Sequence, residues 1–112
     1  MRGQLDFSFA SETLRRLCEN EAHGKKILGE KIACALRTRI AEIDAADDAS
    51  ILAILGWSPF EEGGYLGMVY QMNCKELIRW TVNQKQLRTA RIDAIDWHEV
   101  YRIKLVRIGD HL

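Results

Sequence analysis

The stretch IDWHEVYRIKLVRIGDH (residues 95–111) decides the fold that the sequence predicts. Its first part, residues 96–99, is typical of one helical turn, and residues 100–108 read as a closing strand. Successive side chains of a strand point to opposite faces. One face then carries Tyr101, Ile103 and Leu105, and the other carries Arg102, Lys104 and Val106. The pattern indicates a strand with one face in a core and a second face that bears cations.

Upstream of this stretch, apolar spacing predicts one strand and then helices. Residues 5–9 alternate apolar with polar and indicate a short strand. A helix is predicted over 11–28, where Ser11 offers an N-cap, and a second over 30–45 after the break at Gly29. A short third helix is predicted over 48–55. The second helix has an apolar stripe, so we expect its members Leu36 and Ile40 to be buried.

The second half of the chain has β character. Strands are predicted over 66–72 and 76–82, joined by a turn at 73–75, whereas GWSPFEEGG (56–64) reads as a turn-rich segment. One strand, then helices, then consecutive strands is the order of an α+β fold. We therefore expect one domain over 1–112, with two packed N-terminal helices against a twisted antiparallel sheet.

Composition limits the classes of function. Sixteen basic and sixteen acidic residues cancel, which disfavours strong independent binding of nucleic acid. The charge is nevertheless uneven, since residues 42–62 hold six acids and no base, while residues 85–107 hold six bases against three acids. The three cysteines are widely spaced without a C-x-x-C motif, so we expect no metal site. There is neither a membrane-length apolar run nor the apolar stretch of a signal peptide, so we expect a cytoplasmic protein that makes no use of a membrane.

Two segments resemble a known family. The first segment is residues 28–43, LGEKIACALRTRIAEI. It is similar to a family pattern in which a glycine and then an alanine precede L-x-x-R-[LI]-x-x-[LI]. The stretch 95–111 is similar to the more specific ending IDW-x-x-V-x-x-I-x-I-x-x-I-x-D-Y-H. Together with the element order, these segments resemble the RelE superfamily, in its plasmid-maintenance killer (HigB-type) branch. The resemblance covers nearly the whole chain and implies a RelE-like fold.

The resemblance implies the toxin of a type II toxin–antitoxin system, a ribosome-dependent messenger RNA endonuclease that needs neither metal nor cofactor. The implied partners are the ribosome, messenger RNA and a cognate antitoxin, a helix-turn-helix protein encoded next door. Cleavage through the 2′-hydroxyl requires proton transfer and cations that stabilise the phosphorane. The implied catalytic residues are His111, Arg79 and Asp110. The implied RNA-binding residues are Lys85, Arg88 and Arg91.

Two departures from the family pattern leave a second interpretation open. The D-Y-H ending becomes Asp110-His111-Leu112, and Pro59 stands where the family commonly has a histidine, followed by Glu61-Glu62 where cations would be useful. A carboxylate at that place repels phosphate. The alternative is a catalytically degenerate homologue that binds an antitoxin or acts in regulation.

Overall fold

The computed structural model describes residues 5–73, 76–87 and 91–112. The chain is an α+β structure with four helices and a five-stranded sheet in these residues. The helices are α1 Glu12–Glu19, α2 Glu21–Leu28, α3 Glu30–Ala45 and α4 Ala49–Ile54. The strands are β1 Asp6–Phe9, β2 Ser58–Glu62, β3 Tyr65–Gln71, β4 Leu77–Val82 and β5 Arg102–Ile108. Single turns of 3₁₀ helix lie at Lys85–Leu87 and Trp97–Glu99.

The sheet has the strand order β1-β5-β4-β3-β2 and is mostly antiparallel. The expectation of an antiparallel sheet fails at one edge, because β1 pairs with β5 in parallel. A parallel pair needs a long crossover between its strands. Here the helices and the three other strands supply that crossover, so the first and last strands of the chain lie side by side.

The helix predicted over 11–28 is divided in two at Asn20. The backbone of Asn20 is extended (φ −104°, ψ 103°), and its N–H donates to the Arg16 carbonyl at 3.0 Å. Its side-chain oxygen accepts from the His23 N–H at 3.0 Å and so caps α2. An asparagine side chain competes for backbone partners in this way, which is why it favours helix ends over helix interiors.

The segment 56–64, expected as a turn, contains β2. This strand is the edge of the sheet, where a proline is tolerated because the missing N–H faces away from the ladder. Pro59 lies there, opposite Met68. The β2–β3 hairpin turns at Gly63 and Gly64, both with positive φ (58° and 82°), as the tight turn requires. The two strands of the predicted β3–β4 hairpin are confirmed within one residue at each end, whereas Cys74 and Lys75 of its predicted turn lie outside the described residues.

The helices pack against one face of the sheet. The buried cluster joins helix residues to sheet residues, among them Leu36, Trp80 and Ile103. Leu36 is buried as expected, whereas Ile40 is only half-buried against this cluster. The strand alternation predicted for residues 102–105 is confirmed. None of the described helices is long and apolar enough to cross a membrane.

A register shift between β4 and β5 adjusts which side chains face the core. Arg79 lies opposite Arg107 and Trp80 lies opposite Leu105, so Val106 is an extra residue on β5. A bulge of this kind changes the alternation beyond it. Ile108 consequently returns to the buried side, opposite Ile78.

Candidate functional site

The sheet face that the helices leave uncovered holds an open cleft of about 890 Å³. Strand alternation explains which side chains reach it. In β4, Ile78 and Trp80 are buried in the core, so Arg79 and Thr81 point the other way. In β5 the same rule places Lys104 on the cleft side. The β2–β3 hairpin supplies the wall opposite β5, with Phe60, Glu62 and Tyr65.

Arg79 is the most firmly positioned charge in the cleft. Its guanidinium stacks over the Phe60 ring, 4.6 Å from the ring centroid. Its Nη1 lies 3.4 Å from an oxygen of Glu62, and its Nε is buried without a hydrogen-bond partner in the described structure. The resemblance implies a catalytic role for Arg79. The structure shows the ion pair, and the unmet Nε–H leaves donor capacity on the same group.

Lys104 is the second cation of the cleft. The side chain is half-buried, and its ammonium makes no ion pair or hydrogen bond with any described residue. The sequence predicts Lys104 on the cation-bearing face of the last strand, without a functional role. The alternation of that strand was the signal that could have identified it.

Aromatic rings accompany these cations. Phe60 lies under the Arg79 guanidinium, and Tyr65, at the other end of the hairpin turn, is 64% exposed and also lines the cleft. Cations that attract phosphate, next to rings on which bases stack, are the usual means of binding single-stranded nucleic acid. The carboxylate of Glu62 opposes this by partly neutralising Arg79.

The structure does not bring His111 and Asp110 into the lining of the cleft. His111 forms a backbone bridge with Ile108, with hydrogen bonds of 2.9 and 3.0 Å. The next residue, Leu112, accepts a hydrogen bond from the Ser11 hydroxyl at 2.9 Å, and Ser11 follows Ala10, a lining residue. The chain end therefore adjoins one wall of the cleft without facing into it.

Asp110 is fully exposed and lies 3.9 Å from Arg107 in a loose ion pair. The Nε–H of Arg107 donates to the Gly109 carbonyl at 2.6 Å. These contacts agree with a role in ordering the chain end. The catalytic role of Asp110 stays a prediction.

The predicted RNA-binding residues lie outside the cleft or outside the described residues. Lys85 is exposed, in the 3₁₀ turn whose last residue, Leu87, lines the cleft. Arg91 is exposed and lies 3.7 Å from Asp93. Arg88 lies outside the described residues. The structure thus places one of the three beside the cleft.

The donor set of the cleft suits an anion more than a metal ion. No grouping of three or more His, Cys, Asp and Glu side chains that could hold a metal occurs in the part of the chain that the structure describes. None of the three histidines lines the cleft. Of its charged groups, Arg79 and Lys104 exceed Glu62 by one positive charge.

No protein-family model, curated protein or solved structure matches this chain.

Proposed function

We propose that this chain is the toxin of a type II toxin–antitoxin pair with a RelE-like fold, and that it cuts messenger RNA on the ribosome at the open face of its sheet. One observation carries the proposal. Two cations, Arg79 and Lys104, and two aromatic rings, Phe60 and Tyr65, line one cleft on the face that the helices leave free.

The element order supports the RelE-like part of the proposal. One strand and the helices precede a run of four strands, which is the order on which the resemblance depends. The family-like ending forms β5, and its apolar residues Ile103 and Leu105 are buried. Trp97, the tryptophan of the IDW motif, packs edge-on against Trp80 at 6.1 Å between centroids. The apolar residues of the resemblance are thus packing residues of the core and its edge.

The chemistry requires a proton acceptor, a proton donor and a stabiliser of the phosphorane. Arg79 is suited to the last role, because a guanidinium can give two parallel hydrogen bonds to phosphate oxygens. Lys104 would anchor the neighbouring phosphate. His111 would carry a proton and would act from the chain end, where the Leu112 carbonyl accepts from the Ser11 hydroxyl.

Zero net charge supports dependence on the ribosome. A protein that binds RNA alone gains most of its affinity from an excess of cations. The cleft holds only one charge in excess, so the messenger would have to be held by the ribosome and presented to it. Such a toxin would act in the cytoplasm and would be neutralised by a cognate antitoxin encoded next door.

Growth on induced expression tests the proposal. We expect the wild-type protein to arrest growth when it is produced without its neighbour. Lys104→Ala should relieve the arrest, because loss of the free cation weakens RNA placement, and the matched control Lys31→Ala, on exposed helix surface, should not. His111→Ala should also relieve the arrest by removing an acid–base group, typically about 10²–10⁴-fold in rate, whereas His98→Ala should not. Arrest that is unchanged by Lys104→Ala would remove the cleft from the mechanism.

A second candidate function is favoured by a specific observation. Glu62 occupies one donor of Arg79, and no imidazole lines the cleft. A catalytically degenerate RelE-like homologue, acting by binding an antitoxin or in regulation, would have such a site. Normal growth on induction of folded wild-type protein would favour this candidate.

A further inference from the structure

Helix α4 exposes an apolar surface on the side away from the core. Ile51, Ile54 and Leu55 are spaced three and four residues apart, so they share one helix face. Their side chains are 41%, 80% and 41% exposed. The opposite side of the same segment holds Ala49 and Leu52, both fully buried. Single exposed apolar residues are ordinary, but a contiguous group marks a contact surface.

Three carboxylates lie at the N-terminal end of α4. Asp47 and Asp48 directly precede α4, and Asp48 caps it by accepting from the Ser50 N–H at 2.9 Å. Glu99 belongs to the 3₁₀ turn that packs against α4, where the Ala49 N–H donates to the Val100 carbonyl at 2.9 Å. The three carboxylates make no ion pair with any described basic residue. The basic side chain of that turn, His98, lies 3.1 Å from Asp96.

We propose that this α4 surface, consisting of Ile51, Ile54 and Leu55 with the carboxylates of Asp47, Asp48 and Glu99, docks a basic amphipathic helix of a partner protein. Apolar residues of the partner would cover the three side chains, and its lysines or arginines would meet the carboxylates. None of these residues lines the cleft, so this inference goes beyond the proposed function and does not depend on it.

Charge excludes the other kinds of occupant. Nucleic acid and anionic lipid would be repelled by these three carboxylates. Two of them, Asp47 and Asp48, lie in a stretch, residues 42–62, with six acids and no base. A second copy of the chain would meet the surface through a two-fold axis, because that is how identical patches pair. Such a pairing would bring the two sets of carboxylates together, and like charges at an interface are unfavourable.

The experiment uses the full chain and two synthetic peptides. The first is an amphipathic helix of about 18 residues, long enough to form in water, with leucines on one face and lysines on the other. The second has glutamates in place of the lysines. Binding is measured by calorimetry at low and at moderate salt. We expect the basic peptide to bind at least about tenfold more tightly than the acidic one, with an affinity that falls as salt rises.

Variants locate the binding. Ile54→Ser should weaken binding of the basic peptide about tenfold or more, because burial of an isoleucine side chain is lost. Ile27→Ser, at a 46% exposed isoleucine of α2, is the matched control and should leave binding unchanged. Asp47→Asn combined with Glu99→Gln should reduce both affinity and salt dependence. Both isoleucines are exposed, so circular dichroism should show the same fold for both variants.

Several outcomes would overturn the proposal. These are the absence of binding by the basic peptide, equal binding of the two peptides, or equal effects of Ile54→Ser and Ile27→Ser. Self-association in sedimentation that Ile54→Ser abolishes would replace the partner helix with a second copy of the chain.

Discussion

At the scale of single residues, the cleft depends on the contacts of Arg79. The guanidinium stacks on the Phe60 ring and pairs with Glu62, which under the proposed function takes the place of a phosphate oxygen. The side chain of Glu62 is 70% exposed and that of Arg79 is 25% exposed, so the pair is partly screened by water. Exposed pairs of this kind are weak, so under the proposed function a phosphate would displace the carboxylate.

We expect Glu62→Gln to strengthen binding of a short single-stranded RNA. Exposed ion pairs contribute about 0.2–1 kcal/mol, so the affinity should rise by a factor of about 1.4 to 5 at low salt. Fluorescence anisotropy with a labelled oligonucleotide measures this. Glu99→Gln changes net charge equally outside the cleft and serves as the control. In a background that already carries Arg79→Gln, adding Glu62→Gln should give no gain in RNA affinity. A gain in that background would refute the idea that Glu62 competes with RNA for Arg79.

Cys18 predicts a dependence of stability on alkaline pH. Burial raises the pKa of its thiol to about 12, with a smaller contribution from the neighbouring charge of Glu19. In the unfolded chain the thiol ionises near 9, so above that pH the unfolded state loses a proton that the folded state keeps. The free energy of unfolding should therefore fall as pH rises from about 9 towards 12. Urea unfolding measures it across this range.

Cys18→Ala is the control for this dependence. Other groups titrate above pH 9, so the expected result is a shallower fall in the variant than in the wild-type protein. Equal slopes would show that the thiol ionises as readily in the folded protein as in the unfolded chain.

At the scale of elements, the spacing of apolar residues predicted those helices and strands whose extent depends on nearby residues in the chain. The extents of α3 and of strands β3 and β4 follow from the spacing of their apolar residues. The break at Asn20 was missed, because the apolar spacing continues across it and only the capping side chain reveals it. Strand β2 was missed because proline and glycine obscure the alternation of an edge strand. The parallel pairing of β1 was missed because its partner is far along the chain.

The stripe of α3 gives a prediction about stability. Leu36 is 1% exposed in the cluster between the helices and the sheet. Leu36→Ala should lower the free energy of unfolding by about 2–5 kcal/mol, through lost burial and the cavity that remains. Ile27→Ala, at an exposed site, should change it by no more than about 0.5 kcal/mol. Urea denaturation followed by circular dichroism compares the two, and equal effects would contradict the packing of α3 described above.

At the scale of the whole molecule, the two faces of the sheet differ. The helices cover one face, and the other face bears the cleft in which we propose the function. Arg79 was singled out from the sequence, whereas Lys104 was not. The neighbours of Lys104 in the cleft come from strands that are distant in the chain. His111 was singled out from a motif, but a motif does not fix direction, and the chain end turns towards Ser11 instead. The sequence thus identified candidate residues, but only the folded structure shows which of them line the cleft.

The central claim is that this molecule cuts messengers during translation. The most direct measurement is to map the 5′ ends of cellular messengers after the wild-type protein is induced without its neighbour. We predict growth arrest together with new 5′ ends inside translated codons, and their absence after induction of Lys104→Ala. Intact messengers and normal growth, with the wild-type protein folded and abundant, would contradict the claim.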